Sequence, residues 1–172
     1  DLYSTKAALV VASDLSQQHP FLAFQLRANF RHHAAHIYTV TPGKVREDKY
    51  STKAVIAEAG KELEGVESLR EQLKGETELV ILFGDAIKGD KVRKLVEFGN
   101  SLGIPVKYVC LVDYSNSRGA ADMGVTPDLL PGYQPNPAKG MFLSEMIADA
   151  SLDALWVVGE DGRTAITGIF TL

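Results

Sequence analysis

This sequence has few of the residues that would build a disulfide-stapled, membrane-spanning or nucleic-acid-binding protein. It contains one cysteine, Cys110, which excludes an internal disulfide and a metal cluster held by its cysteines alone. Its net charge of −4 argues against a protein that binds a phosphate backbone, although it leaves room for a local basic patch. No apolar run reaches the roughly 20 residues that a helix needs to cross a bilayer. We therefore predict neither nucleic-acid binding nor direct insertion into a membrane.

The remaining composition is that of an ordinary globular protein. Hydrophobic residues make up 45% of the 172 residues and charged residues 23%, a balance that lets one domain bury a core. Because the sequence begins at Asp1 rather than at a methionine, we expect a single α/β domain over residues 1–172 that is a piece of a larger polypeptide.

Short apolar runs alternate with amphipathic stretches along the chain. The runs are continuous enough to be strands buried on both faces of a sheet. Strands that alternate with helices predict an α/β three-layer sandwich, with a mostly parallel, Rossmann-like sheet of about five or six strands and helices on both faces. The predicted strands are 7–12, 36–40, 79–83, 106–112 and 154–158, with 165–172 as either a sixth strand or a frayed end.

The amphipathic stretches are the predicted helices. The first runs over 21–33 and places Leu22, Leu26 and Phe30 on its buried face. The other predicted helices are 55–73, one that begins near Asp90, and 140–150, while 13–19 and 44–52 are predicted to be polar loops.

Small and acidic residues collect where the predicted strands end. In an open parallel sheet, ligands bind beyond the carboxyl ends of the strands. A helix that starts at Pro20 would also present the positive end of its dipole there. The pattern indicates a nucleotide site at this edge. Each residue also has a structural alternative to ligand contact: His19 could begin a helix, Asp14 could cap it, and Asp85 could form a turn. The residues after these strands include Ser13, Asp14, Thr41, Gly84 and Asp85.

A stretch without helix or strand periodicity follows the fourth predicted strand. It reads Asn-Ser-Arg-Gly-Ala-Ala-Asp-Met-Gly-Val-Thr-Pro-Asp-Leu-Leu-Pro-Gly-Tyr over 116–133, and ordered loops of this length are commonly functional. It resembles the Asn-x-x-Gly-Ala-x-Asp-Met-Gly…Pro-Gly-Tyr segment of the molybdopterin oxidoreductase family. Within that family it is most similar to formate dehydrogenase large subunits and to the large iron–sulfur subunit of NADH–quinone oxidoreductase, complex I.

Two further segments carry the same resemblance. Val-Val-Ala-Ser-Asp-Leu-Ser-Gln-Gln-His-Pro at 10–20 is similar to the family's strand followed by Gly-x-Asn-Pro-x-x-x-His-Pro. Ala-Leu-Trp-Val-Val-Gly-Glu-Asp at 154–161 is similar to the family's Tyr-x-x-Gly-Glu-Asn/Asp-Pro. In the molybdenum enzymes the first of these loops holds part of a molybdopterin guanine dinucleotide. The resemblance thus implies cofactor contacts by Ser13, Asp14, His19, Thr41, Gly84, Asp85, Asn116, Arg118, Gly119 and Asp122.

The sequence departs from the family at positions that bind the dinucleotide. The family's loop glycine is Ala12 here, its Asn-Pro pair is Asp14-Leu15, and its guanine-facing Asp is Thr41. A Cβ at Ala12 crowds the approach of a pyrophosphate, and Thr41 lacks the carboxylate that accepts two hydrogen bonds from guanine. The Arg that follows in the family is Gly43. These departures favour the complex I subunit, in which the domain generally keeps no such cofactor.

The resemblance therefore implies a structural domain without catalytic residues, metal ligands or a redox centre of its own, inside a parent oxidoreductase. Its partners would be other subunits of a respiratory complex and the flanking domains of the same chain. It would lie in the cytoplasm, peripheral to the inner membrane, and iron–sulfur clusters are expected in an N-terminal part of the parent chain. The alternative is the molybdopterin guanine dinucleotide-binding domain of a formate dehydrogenase-type molybdenum or tungsten enzyme. A generic nucleotide-binding module is a third, weaker alternative.

Overall fold

The computed structural model describes residues 1–84, 86–112, 114–149, 151–154 and 156. The chain divides into two compact units: unit 1, Asp1–Tyr114, and unit 2, which begins at Ser115. Whether 1–172 acts as a single domain stays a prediction.

Unit 1 alternates strands with helices. Its strands are β1 (Ala7–Val11), β2 (His36–Thr41), β3 (Lys53–Ile56), β4 (Leu79–Phe83) and β5 (Val106–Cys110). Its helices are α1 (Leu15–Gln18), α2 (Pro20–His33), α3 (Glu62–Glu67), α4 (Arg70–Lys74) and α5 (Asp90–Asn100), with a 3-10 helix at Arg46–Lys49. The five strands form one parallel sheet in the order β3-β2-β1-β4-β5. The predicted α/β sandwich with a Rossmann-like parallel sheet is confirmed.

The central strand β1 has apolar side chains on both faces of the sheet. Leu9 and Val11 enter a core with the residues of α3, α4 and α5, whereas Ala8 and Val10 enter a second core with α1 and α2. All five positions of β1 are buried. Because helices cover both faces, no position of the strand can be polar without losing hydration, so the strand is a continuous apolar run in the sequence.

The helix predicted over 55–73 is wrong in its first part. Residues Lys53–Ile56 are strand β3, which pairs with β2 from Tyr38↔Lys53 to Thr41↔Ile56. The helical part is divided into α3 and α4. β3 is an edge strand with exposed residues, including Ile56 at 58% exposure. It therefore lacks the continuous apolar run by which the central strands were predicted.

The buried face of α2 differs from the predicted one. Leu26 is buried as expected, but Phe30 is 39% exposed and Asn29 is fully buried. The side-chain Nδ2 of Asn29 donates hydrogen bonds to the carbonyl oxygens of Leu2 (2.8 Å) and Thr5 (2.7 Å), while its Oδ1 is buried without a partner. The amide thus ties the N-terminal segment to α2, and Phe30 is left at the surface.

The described part of unit 2 is built from short elements. It contains α6 (Ser117–Asp122), an antiparallel pair of β6 (Leu129–Leu130) and β7 (Gln134–Pro135), and α7 (Leu143–Ala148). The helix predicted over 140–150 is thus present over a shorter range. Of the predicted strand 154–158 only 154 and 156 are described, and the predicted strand 165–172 lies outside the described residues. Within the ranges described, no helix combines the length and apolar character needed to cross a bilayer.

Candidate functional site

The carboxyl edge of the sheet brings together four of the predicted site residues. β1 pairs with β4 up to Val11↔Phe83, so the residues after these two strands are neighbours. A Cβ built on Gly84 would lie 3.6 Å from the Cβ of Ser13. In the sheet β1 lies between β2 and β4, and the chain continues from β1 to β2. The carboxyl ends of β1 and β4 are therefore the topological switch point, where open parallel sheets bind ligands. The four residues are Ser13, Asp14, Thr41 and Gly84, and Asp85 lies outside the described residues.

The polar groups that follow β1 are hydrogen-bonded to one another. Ser13 is 3% exposed, and its hydroxyl donates to Gln18 Oε1 at 2.7 Å. The same oxygen accepts the backbone N–H of Asp14 at 3.1 Å. The Asp14 carboxylate accepts the backbone N–H of Gln17 at 3.2 Å and thereby caps α1. These hydrogen bonds hold the loop in shape, since each joins groups within it.

Ala12 joins β1 to this loop in a left-handed backbone conformation, with φ at 52°. Its N–H donates to the carbonyl of Val40 at 2.8 Å, which fixes the turn against β2. The left-handed region favours glycine, since a Cβ is strained there. The backbone therefore has a shape suited to the glycine of the similar family motif, while the residue present carries a methyl group.

Thr41 closes the end of β2. It is 1% exposed, and its hydroxyl donates to the carbonyl oxygen of Gly43 at 2.8 Å. Its own carbonyl accepts the N–H of Ala57 at 3.0 Å. The side chain thus stabilises the turn after β2, and it offers no carboxylate to a guanine base.

A cavity of about 320 Å³ lies at the ends of β1 and β2. Its charged lining residues are one acid, Asp14, and one base, Lys44. A pyrophosphate group is bound best by several cations or by a helix N-terminus with free N–H groups. Here the lining holds one carboxylate and one ammonium, and the guanine acceptor is missing at Thr41. The residues present do not fit a molybdopterin guanine dinucleotide.

His19 lies between α1 and α2 and ends one helix as it begins the next. Its N–H donates to the Leu15 carbonyl at 2.8 Å, and its carbonyl accepts the Leu22 N–H at 3.0 Å. Its side chain makes no capping hydrogen bond. Pro20 takes the first helical position, where its missing N–H costs nothing. The backbone contacts of His19 are those of a helix-entry residue.

The remaining predicted site residues lie in unit 2, in or beside α6. Asp122 is the centre of this group: its carbonyl accepts the Gly132 N–H at 2.9 Å. Its carboxylate accepts a hydrogen bond from the Tyr133 hydroxyl, which raises the pKa of that phenol, whereas Arg118 opposes the rise. Asp122 therefore closes the 116–133 segment on itself. The four residues of the group are Asn116, Arg118, Gly119 and Asp122.

Glu47 lies in the predicted polar loop 44–52 but is fully buried. One carboxylate oxygen accepts the Ser16 hydroxyl at 2.5 Å, and the other has no hydrogen-bond partner. Burial and the charge of Glu47 raise the pKa of Tyr50 to about 12, against the effect of Arg27 and Arg46. A run of charged residues predicts a solvated loop, so nothing in the pattern marked one of its carboxylates as buried.

Metal-ligating side chains do not converge in the described part of the chain: no three His, Cys, Asp or Glu residues there form a possible ligand set. Cys110 is exposed at the end of β5. Comparison with protein-family models and with curated proteins finds no match to this sequence. The resemblance to the molybdopterin oxidoreductases accordingly rests on the motifs quoted above.

Proposed function

We propose that this chain is a structural domain of molybdopterin-oxidoreductase type from the large subunit of a respiratory NADH–quinone oxidoreductase, without a redox centre of its own. The observation that carries the proposal is the hydrogen bonding at the strand ends. Ser13, Asp14 and Thr41 each use their side chains to hold the turns in which they lie. Side chains fixed in this way already serve the fold itself, which supports a domain without a cofactor.

The charge of the strand-end cavity supports the same function. Asp14 and Lys44 are its charged residues, so a dinucleotide would bring two phosphates against one ammonium and one carboxylate. Unpaired anions close together in a partly enclosed site repel one another, and the affinity for such a ligand falls accordingly.

The alternative is a molybdopterin guanine dinucleotide-binding domain of formate dehydrogenase type. Two observations favour it: the cavity of about 320 Å³ lies at the carboxyl ends of the strands, and Ala12 has the backbone conformation of a glycine.

Calorimetric titration of the chain with GMP and GDP tests these functions against each other. The structural function predicts no measurable heat of binding. Micromolar affinity that is lost in Lys44→Gln would contradict it and support the alternative. Lys94→Gln is the matched control, because Lys94 is an exposed lysine on α5. Loss of binding in both lysine variants would show only nonspecific attraction of an anion.

Elemental analysis of the parent protein, purified from its source, is the second test. Iron without molybdenum or tungsten is the expected result. Stoichiometric molybdenum or tungsten together with iron would replace the proposal by the cofactor-binding alternative.

A further inference from the structure

A groove between α2 and the 3-10 helix is lined by cations and aromatic rings. Two cavities of about 90 and 330 Å³ share Arg27, Arg46 and Tyr50, so they form one continuous depression. We call it the α2 groove. The larger cavity is lined by Arg27, Phe30, Arg31, Arg46, Lys49 and Tyr50.

The four cations of the α2 groove are not neutralised by ion pairs. Within the part of the chain that the structure describes, no carboxylate lies within ion-pairing distance of any of them. Other surface cations differ: Lys61, Lys74 and Arg93 each pair with a carboxylate three residues earlier. In a chain with a net charge of −4, this cluster is a local positive field that attracts acidic ligands.

The carboxylates nearest in sequence make hydrogen bonds within the fold. One oxygen of the fully buried Glu47 accepts the Ser16 hydroxyl, and the other has no hydrogen-bond partner. Asp48 accepts the Thr39 hydroxyl at 2.8 Å and the Val45 N–H at 3.0 Å. Both side chains hold the 3-10 helix in place. The four cations of the α2 groove therefore outnumber the two nearby carboxylates, which make their hydrogen bonds within the fold.

The shape of the α2 groove favours a polypeptide over a small anion. It extends along α2 from Pro20 to Arg31, which at the rise of an α-helix is roughly 16 Å. Exposed aromatic rings lie beside the cations: Phe24 is 57% exposed, and Phe30 lies 5.8 Å from Tyr50 between ring centroids. A small anion would contact only the cations. Arginine and aromatic side chains together are the composition enriched at protein interfaces.

We infer that the α2 groove is a docking surface for an acidic segment of a partner protein. Carboxylates of the partner would bind Arg27, Arg31 and Arg46, and apolar side chains between them would pack on Phe24 and Phe30. The inference rests on the proposed function, because a structural domain of a large complex is held in place by other subunits.

Fluorescence anisotropy with labelled peptides tests the inference. The probe is a 12-residue peptide of alternating Glu and Leu, and its Lys–Leu counterpart is the charge control. We expect the acidic peptide to bind, with an affinity that falls as salt rises, and the basic peptide not to bind. Arg27→Gln/Arg46→Gln should weaken binding about tenfold or more. Arg93→Gln, an exposed arginine on α5, should leave it unchanged, and circular dichroism checks that each variant is folded.

Two results would overturn the inference. One is an affinity for the acidic peptide that is equal in the double variant and in Arg93→Gln. The other is binding of inorganic pyrophosphate at the arginines without binding of the peptide, which would make the groove a small-anion site. The outcome is separate from the test of the proposed function: guanine nucleotide binding that depends on Lys44 leaves the docking surface intact, and failure of the peptide to bind leaves the strand-end argument intact.

Discussion

Unit 1 and unit 2 of this chain differ in what holds them in shape. In unit 1, every residue of β1 is buried, and an apolar core lies on each face of the sheet. Among the described residues of unit 2 none is buried, and Val125 and Trp156 are 72% and 90% exposed. Unit 2 is closed instead by backbone hydrogen bonds such as that from the Val125 N–H to the Ala120 carbonyl, at 2.9 Å.

The two units are therefore stabilised by different interactions. Burial of apolar surface supplies about 25 cal/mol per Å² and is cooperative across a core. Hydrogen bonds that close a turn in contact with water contribute only about 1 kcal/mol each, since water competes for the same groups. Unit 1 should therefore respond to changes in side-chain volume, and unit 2 to changes in backbone conformation.

The largest expected effect is that of truncating a side chain in the sheet. Leu9 is fully buried in β1, so Leu9→Ala should lower the free energy of unfolding by about 2–5 kcal/mol through lost burial and the cavity left behind. Leu143→Ala is the matched control in unit 2, where this leucine is 48% exposed, and should cost about 0.5 kcal/mol or less. Urea denaturation followed by circular dichroism measures both. Equal losses would contradict the contrast between the units.

A smaller effect is expected from the buried polar contact of α2. Asn29→Ala removes the donor for the carbonyls of Leu2 and Thr5 and should lower the free energy of unfolding by about 1–3 kcal/mol. Asn100→Ala, an exposed asparagine at the end of α5, should change it by about 0.5 kcal/mol or less. Urea midpoints compare the two variants. An unchanged midpoint for Asn29→Ala would show that the N-terminal segment does not depend on this amide.

Substitution of a glycine with positive φ tests how far unit 2 depends on its backbone conformation. Gly124 has φ at 72°, and a Cβ there would lie 2.6 Å from the carbonyl carbon of Leu130. Gly124→Ala should therefore destabilise the 116–133 segment by more than about 1 kcal/mol. The measurement is amide hydrogen exchange, which should accelerate in that segment and stay unchanged in β1. Gly43→Ala is the control, because a Cβ there meets open space; similar acceleration of the 116–133 amides in both variants would count against the strain.

The smallest expected effect is a dependence on pH within unit 1. Burial of Glu62 opposes its ionisation, but hydrogen bonds from the Gly60 N–H (2.7 Å) and Lys91 (3.2 Å) outweigh burial and hold its pKa below the ordinary 4.5. A depressed pKa in the folded state stabilises the fold above the unfolded pKa, and this contribution is lost as pH falls through the folded value.

The difference in unfolding free energy between the natural chain and Glu62→Gln should therefore shrink as pH is lowered from 7 to about 3. Urea titrations at each pH measure this difference. Glu64→Gln, an exposed glutamate on α3, should change stability by about 0.5 kcal/mol or less at pH 7. A difference for Glu62→Gln that grows toward low pH would show that burial, rather than Lys91, controls this carboxylate.

The sequence predicted best the elements whose environment is uniform along their length. β1 and β4 are covered by helices on both faces, so their burial requires an unbroken apolar run. Edge strand β3 was missed because its residues face solvent. Helical spacing predicted that Phe30 lies on the buried face of α2. It could not reveal that Asn29 is buried, because its two carbonyl partners, Leu2 and Thr5, are distant in the sequence.

The candidate site was also predicted only in part from the sequence. That Ser13, Thr41 and Gly84 share one edge follows from the sequence, because the carboxyl ends of parallel strands meet there. That Ser13 donates to Gln18 and Thr41 to Gly43 depends on how the turns fold, and whether these residues contact a ligand stays a prediction. The α2 groove was not predicted at all, since its cations come from a helix and a loop that only the fold places side by side.

By itself, then, the sequence determined the α/β class, the central strands and the edge at which polar residues collect, because apolar periodicity is a local property of the chain and parallel strands end at one common edge. Only the tertiary structure decided which of those polar groups are already satisfied, that Glu47 is buried, and that Arg27 and Arg46 stand together. The bonds of Ser13 to Gln18 and of Thr41 to Gly43 are local but depend on how each turn folds. The Glu47–Ser16 bond and the Arg27–Arg46 cluster join residues far apart along the chain, so no local pattern reveals them.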